Sequence, residues 1–121
     1  MRRQFKLMSF ACKAIRFEEL LMCSFDLNKT DYFIYNFMLE QKGKNLTVNE
    51  IAEKAGKERT VIQKSMKRLF ERNLVKRFQE NLENGGYRFY YAPVEKREIK
   101  ARLRDTVRKW AANVESAVNR W

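Results

Sequence analysis

Apolar positions recur at helical spacing along most of the chain. From about Arg3 to Cys23 there is no Gly or Pro, and Phe10, Ala14, Phe17 and Leu21 follow one another at intervals of three and four, which predicts a first helix. Leu7, Met8, Ile15, Leu20 and Met22 add apolar surface on neighbouring faces. That is more than one buried stripe needs, so the helix is expected either to meet a second subunit or to lie under the chain's own C-terminus. Asn28 followed by Asp31 reads as an N-cap with an acidic first turn, and Phe33, Ile34, Phe37 and Met38 give a second helix its apolar face. It is expected to run to about Gln41 and stop at Gly43.

The next stretch carries sharper punctuation. Thr47 and Glu50 have the T-x-x-E spacing of a capping box, with Leu46 and Ile51 placed as its hydrophobic staple. Gly56, after Ala52 and Ala55, is the expected stop of this third helix, because glycine takes positive φ without a Cβ clash. A fourth helix is predicted from Glu58 to Arg72. At 100° per residue Ile62, Met66 and Leu69 share one side, and Thr60, Lys64, Lys67 and Glu71 the other, with Gln63 and Arg68 flanking and Arg59 in the first turn. Asn73 is expected to take the left-handed cap. Leu74 to Phe78 and Tyr87 to Ala92 then read as two strands joined around Asn84-Gly85-Gly86.

Pro93 closes the second strand, and no Gly or Pro interrupts the pattern from Val94 to Trp121. Leu103, Val107, Trp110, Val114, Ala117 and Trp121 alternate at spacings of four and three, the signature of a coiled-coil seam. A helix of this extent is roughly 40 Å long, more than a small domain covers. Much of the seam is therefore expected to need another subunit, while its first half has the alternative of packing on the first helix of the same chain.

Composition narrows the partners. The chain has 121 residues, enough for one compact domain with appendages, and its 45% hydrophobic content provides for a core. Its net charge is +11, which favours a polyanion. Between residues 57 and 77 stand Lys57, Arg59, Lys64, Lys67, Arg68, Arg72, Lys76 and Arg77, against only Glu58 and Glu71. The basic excess is thus concentrated on the fourth helix and the strand that follows. No apolar run is long enough to span a bilayer, and no signal peptide is read, so a cytoplasmic protein without a membrane partner is expected.

There is no histidine and no phosphate loop, which argues against a metal site, triad chemistry and catalysis in general, and no cofactor is expected. Cys12 and Cys23 have no CxxC spacing; on one helix they would stand roughly 16 Å apart and could not bridge. Structural thiols are the expectation, an intersubunit disulfide the alternative.

The outer face of the fourth helix holds groups suited to nucleic acid: Arg for guanine or phosphate, Gln for adenine, Thr for phosphate or a thymine methyl, Lys for phosphate. A solvated charged face would look similar in isolation. Its position after a Gly-turned helix and before a basic hairpin favours the DNA reading. Lys76, Arg77 and Arg88 lie along the hairpin, whose Glu80 and Glu83 reduce its positive charge.

The run LTVNEIAEKAGKERTVIQKSMKRLFERNLVKR, followed by NLENGGYRFYYAPV, resembles the winged helix-turn-helix of TrmB-like and MarR-like transcriptional regulators, especially the short archaeal type. The similarity covers roughly residues 28–93. It implies a mainly α fold with a small β-hairpin wing, in which long N- and C-terminal helices form a dimer interface. Residues 1–27 would be an N-terminal helix for the core or dimer, 28–93 the DNA-binding domain and 94–121 the coiled-coil dimerisation helix. The resemblance places Arg59, Thr60, Gln63 and Lys64 at bases or flanking phosphates, and Arg77 and Arg88 in the wing; Lys67, Arg68 and Lys76 complete the expected DNA-binding set. The dimer set is Leu103, Val107, Trp110, Val114, Ala117 and Trp121. The longer TrmB-type members carry a C-terminal sugar-binding domain with no counterpart here, and no small-molecule effector is evident. The expected function is a homodimeric, sequence-specific regulator on double-stranded DNA. A non-specific architectural DNA binder and a winged-helix protein-interaction module, with Trp110 and Trp121 as anchors, are the alternatives.

Overall fold

A computed structural model describes residues 7–10 and 12–121. Leu7–Phe10 (β1) and Lys13–Arg16 (β2) pair antiparallel, with Met8 opposite Ile15. The helices are Phe17–Phe25 (α1), Lys29–Glu40 (α2), Val48–Ala55 (α3) and Arg59–Glu71 (α4). Val75–Asn81 (β3) and Tyr87–Pro93 (β4) form a second hairpin, and Lys96–Arg120 (α5) completes the chain.

The N-terminal expectation is corrected. Where the apolar spacing predicts one helix from Arg3 to Cys23, there is a short hairpin, and the helix begins only at Phe17. Residues 3–6 of that prediction lie outside the described residues. The start is set by hydrogen bonding: the Glu19 carboxylate accepts the Arg16 backbone N–H at 3.0 Å, satisfying a donor that a helix start leaves free. Spacing of three and four shows a face, not a beginning. Cys12 and Cys23 consequently occupy different elements, and both thiols are exposed and unbridged rather than packed in the interior.

The remaining elements start and stop where local chemistry directs. Asn28 Oδ1 accepts from the Asp31 N–H at 2.8 Å at the head of α2, and Thr47 Oγ1 from the Glu50 N–H at 3.1 Å at the head of α3. Glu50 returns the bond to the Thr47 N–H at 2.9 Å, completing the expected capping box. Gly56 ends α3 at φ +69°, in the left-handed region, and redirects the chain into α4. Asn73 does the same after α4 at φ +59°, a conformation that Asn tolerates better than most residues. The β3–β4 hairpin is longer than expected: its ladder continues to Asn81 opposite Tyr87. Leu46 adds a third edge by exchanging two backbone hydrogen bonds with Tyr91, at 2.9 and 2.7 Å, which fastens the loop before α3 to the base of the hairpin.

The core gathers between α2, α3, α4 and the hairpin base. Ile34, Met38, Ile51, Ile62, Met66, Leu69 and Leu74 are fully buried. Each contributes about 1.5–3 kcal/mol of transfer free energy, so the packing of α4 against α2 and α3 is strongly specified. The first two turns of α5 join this core through Ile99, with Leu103 buried one turn further on. There α5 meets α1 and α2 around an apolar cleft of about 100 Å³ to which Phe17, Leu21, Phe25 and Tyr35 contribute. The Tyr35 hydroxyl donates to the Val94 carbonyl at 2.8 Å, and burial pushes its phenol up to about 12. Arg102 clamps the junction: Nη1 donates to the Asn73 carbonyl at 2.6 Å, a favourable place for a cation just beyond the end of α4.

Leu103 therefore belongs to the chain's own core. Within the single chain Leu103 is buried and shares the cleft with Phe17, Leu21 and Phe25, the arrangement expected if the first half of this helix packs on the N-terminal one. Beyond it every residue of α5 is exposed, including Val107, Trp110, Val114 and Ala117.

Candidate nucleic-acid interface

The inner face of α4 is fixed before its outer face has anything to do. Alongside its buried apolar residues stands Ser65, which with Asp31 makes up the fully buried polar groups among the described residues. Ser65 Oγ donates to Asp31 Oδ1 at 2.8 Å, while Arg68 Nε and Nη2 donate to Oδ2 and Oδ1, each at 2.8 Å. Burial pushes the Asp31 carboxyl up, but hydrogen bonds from Arg68, Ser65 and the capped backbone outweigh it and hold the carboxyl below its usual range. This three-residue cluster sets the rotation of α4 on α2.

Arg68, expected in the DNA-binding set, is thus held on the flank of α4 by an internal ion pair rather than standing unengaged on its outer face. Its Nε–Nη2 edge is committed to an internal carboxylate, because its Cα lies on the flank of α4 that looks toward α2. The periodicity shows it flanking; it does not show that a buried Asp31 waits 37 positions earlier.

The other expected residues of the helix face outward together. Arg59, Thr60, Gln63, Lys64 and Lys67 are all exposed. Among the described residues, Thr60, Gln63, Lys64 and Lys67 make no side-chain hydrogen bond or ion pair within the chain, so these groups are turned to solvent without internal competition. Arg59 is tethered: its Nε donates to Asn49 Oδ1 at 2.8 Å, across the Gly56 turn. Sequence reasoning missed Asn49. The capping box places it one residue before Glu50, hence at the start of α3, which is the one signal that would have brought it near the start of α4.

Between the start of α3, the first turns of α4 and β4 lies an open groove of about 510 Å³, lined by Thr47, Asn49, Arg59, Gln63, Tyr87, Arg88 and Phe89. The helix and the hairpin therefore present one concave surface. Its hairpin wall differs from expectation in how its cations are held. The Arg77 guanidinium is stacked between the rings of Phe70, at 4.2 Å, and Phe89, at 4.3 Å, tying β3 and β4 to the end of α4. Arg88 is paired with Glu80 at 3.3 Å, so part of its charge is met locally. The Tyr90 hydroxyl also donates to Glu80, at 3.0 Å, which raises the Tyr90 phenol. Lys76 is exposed, with no ion pair among the described residues.

Of the expected dimer set, Val107, Trp110, Val114, Ala117 and Trp121 lie exposed along the outer part of α5, and Val118, absent from that set, joins them. Val118 escapes a strict four-three count because it neighbours Ala117, yet it stands one helical turn from Val114. Among the described residues no helix is long and apolar enough to cross a membrane.

Residues 21–97 match the family described as "Sugar-specific transcriptional regulator TrmB", well over half of the chain. The chain belongs to the TrmB family. TrmB proteins are transcriptional regulators rather than enzymes. An uncharacterised protein of Methanocaldococcus jannaschii is 30% identical over 112 residues, covering 93% of this chain and 83% of the relative. Among solved structures, one described as a possible transcriptional regulator from Methanosarcina mazei Go1 superposes with a TM-score of 0.89 at 24% identity, over 98% of both chains. Staphylococcus aureus MepR, in a mutant form bound to an oligodeoxyribonucleotide, has a TM-score of 0.54 at 12% identity, covering 86% of this chain and 72% of that one. At these identities the structures show the fold: this TrmB-family chain is a winged helix, and its likeness to MarR-type regulators holds at the level of architecture.

Proposed function

We propose that this TrmB-family chain is a homodimeric, site-specific regulator of transcription on double-stranded DNA. α4 enters the major groove, and the β3–β4 hairpin follows the flanking backbone or minor groove. The observation that carries this reading is the outer face of α4. Five exposed residues with the donors and methyl groups that read or anchor DNA share one side of a helix whose opposite side is locked by the core and by the Asp31–Arg68–Ser65 cluster. A helix whose backbone is already fixed by the core needs no ordering of its own on binding, so the cost is confined to its side chains. In this reading Gln63 and Arg59 address base edges, Thr60, Lys64 and Lys67 the adjoining phosphates, and Lys76, with the free edges of Arg77 and Arg88, the wing side.

Residues 28–93 then form the DNA-binding domain. The part of α5 beyond Leu103 joins two copies through Val107, Trp110, Val114, Ala117, Val118 and Trp121, spacing their recognition helices by about one turn of DNA or a multiple of it. The work is done at the chromosome, in the cytoplasm, and with no effector invoked. Selection of bound sequences from random DNA, with sedimentation of the same protein, tests the reading. A pseudo-palindromic site bound by a dimer is the expected result, and enrichment of no sequence overturns it in favour of a non-specific DNA coater.

The exposed apolar seam of α5 specifically favours one other reading, in which the winged helix is a scaffold for a protein assembly. A monomer in sedimentation without DNA affinity at low salt is what that reading requires.

A further inference from the structure

We propose that Asn49 is the positioning residue for Arg59, holding its guanidinium so that the terminal fork is presented end-on to a guanine edge. This rests on the reading of α4 as the recognition helix. Asn49 is the second residue of α3 and Arg59 the first of α4, and the left-handed turn at Gly56 brings the two helix starts together. Arg59 Nε donates to Asn49 Oδ1 at 2.8 Å. Arginine only donates, so the amide must turn its carbonyl oxygen to the guanidinium and its NH2 away.

A guanidinium offers five N–H groups in a rigid plane. It meets the O6 and N7 of guanine either end-on, through Nη1 and Nη2, or side-on, through Nε and one Nη. The bond to Asn49 occupies Nε and leaves the end-on fork. Among the described residues neither Nη of Arg59 has a hydrogen-bond partner in the chain. A phosphate contact gains little from such orientation, since phosphate oxygens accept over a wide range of directions and carry no sequence information. Bidentate base readout gains from it directly, because the tether has already removed torsional freedom that an unheld arginine loses on binding. Asn49, Arg59 and Gln63 line the same groove, and both partners of the bond are exposed, so changing either opens no cavity in the core.

The test is quantitative selection from random double-stranded DNA with the full chain and five variants, Arg59→Ala, Arg59→Lys, Asn49→Ala, Asn49→Asp and the double variant Arg59→Ala/Asn49→Ala, each first shown to keep the wild-type circular dichroism. The wild type is expected to show a guanine column that both Arg59 variants erase. Asn49→Ala should lower the preference at that column alone by roughly five- to tenfold, the lower end of what a bidentate contact contributes. Asn49→Asp, which keeps an acceptor oxygen, should retain the column while weakening all sequences through its charge. On the Arg59→Ala background Asn49→Ala should change nothing further at that base. If Asn49→Ala keeps the guanine column that Arg59→Ala erases, or lowers every sequence equally, the positioning role is overturned. If Arg59→Ala itself leaves base preference intact, it is the assignment of Arg59 to readout under the proposed function that fails.

Discussion

Arg68 and Asp31 meet in two parallel hydrogen bonds of 2.8 Å between α4 and α2, with the carboxylate fully buried and the guanidinium about a third exposed. The pair joins residues 37 positions apart and fixes which side of α4 faces out. Arg68→Ala leaves a buried carboxylate without its cation. We expect a loss of about 2–3 kcal/mol at pH 7, below the cost for a wholly buried pair because water still reaches Arg68. Urea denaturation measures it.

The same pair sets a pH dependence. The folded Asp31 carboxyl is held below its unfolded value of about 3.9, so its stabilisation is present above that pH and is lost as pH falls through the lower folded value. The stability gap between wild type and Asp31→Asn should therefore be full at pH 6 and narrow below about pH 4. In Arg68→Ala burial is no longer outweighed, the folded carboxyl rises, and the deficit should instead shrink on moving from pH 7 toward acid. Denaturation curves at pH 7, 5 and 3 separate the two slopes; parallel curves would refute the assignment.

Lys64 and Lys67 act as point charges in the proposed complex. Replacing either by Ala should weaken binding to all sequences alike and lower the slope of log K against log salt by about 1. Gln63→Ala should instead cost roughly 1–3 kcal/mol at one base position with the salt slope unchanged. Fluorescence anisotropy over a salt series distinguishes the two behaviours.

The outer seam of α5 is expected to hold the dimer. Glutamates at Val107 and Val114 would place like charges within it, so Val107→Glu/Val114→Glu should sediment as a monomer and bind a full site at least tenfold more weakly, at a cost of about 1.4 kcal/mol or more. Both positions are exposed in the single chain, so the domain's circular dichroism should not change. A dimer that survives the double change would remove this seam from the interface.

Arg77, stacked between Phe70 and Phe89, is expected to hold the hairpin at its angle to α4. Arg77→Ala should cost about 0.5–1 kcal/mol of stability and speed amide exchange in residues 76–91 more than in α4. Equal protection in wild type and variant would leave the stacking without a mechanical role.

Much of this molecule is legible residue by residue. The N-cap at Asn28 and the capping box at Thr47, the left-handed stops at Gly56 and Asn73, and the buried line of Ile62, Met66 and Leu69 depend on local hydrogen bonding and helical period, which the sequence carries without reference to the rest of the fold. The exposed set of Arg59, Thr60, Gln63, Lys64 and Lys67 follows from the same period. What the period does not hold is the identity of distant neighbours. Only the tertiary structure could take Arg68 out of the outer face, since Asp31 reaches it through the packing of α2. Only packing could place Arg77 between two aromatic rings and bring Asn49 to Arg59. The N-terminal segment shows the limit most plainly: its three-four spacing suits a helix through Cys23, yet intervals of that kind cannot choose between a helix and a hairpin. Pairing between β1 and β2 and the bond from Arg16 to Glu19 made that choice. Leu103 was divided the same way: its spacing marks a seam, and the proximity of α1 and α2 decided that the seam's first residue is covered by its own chain.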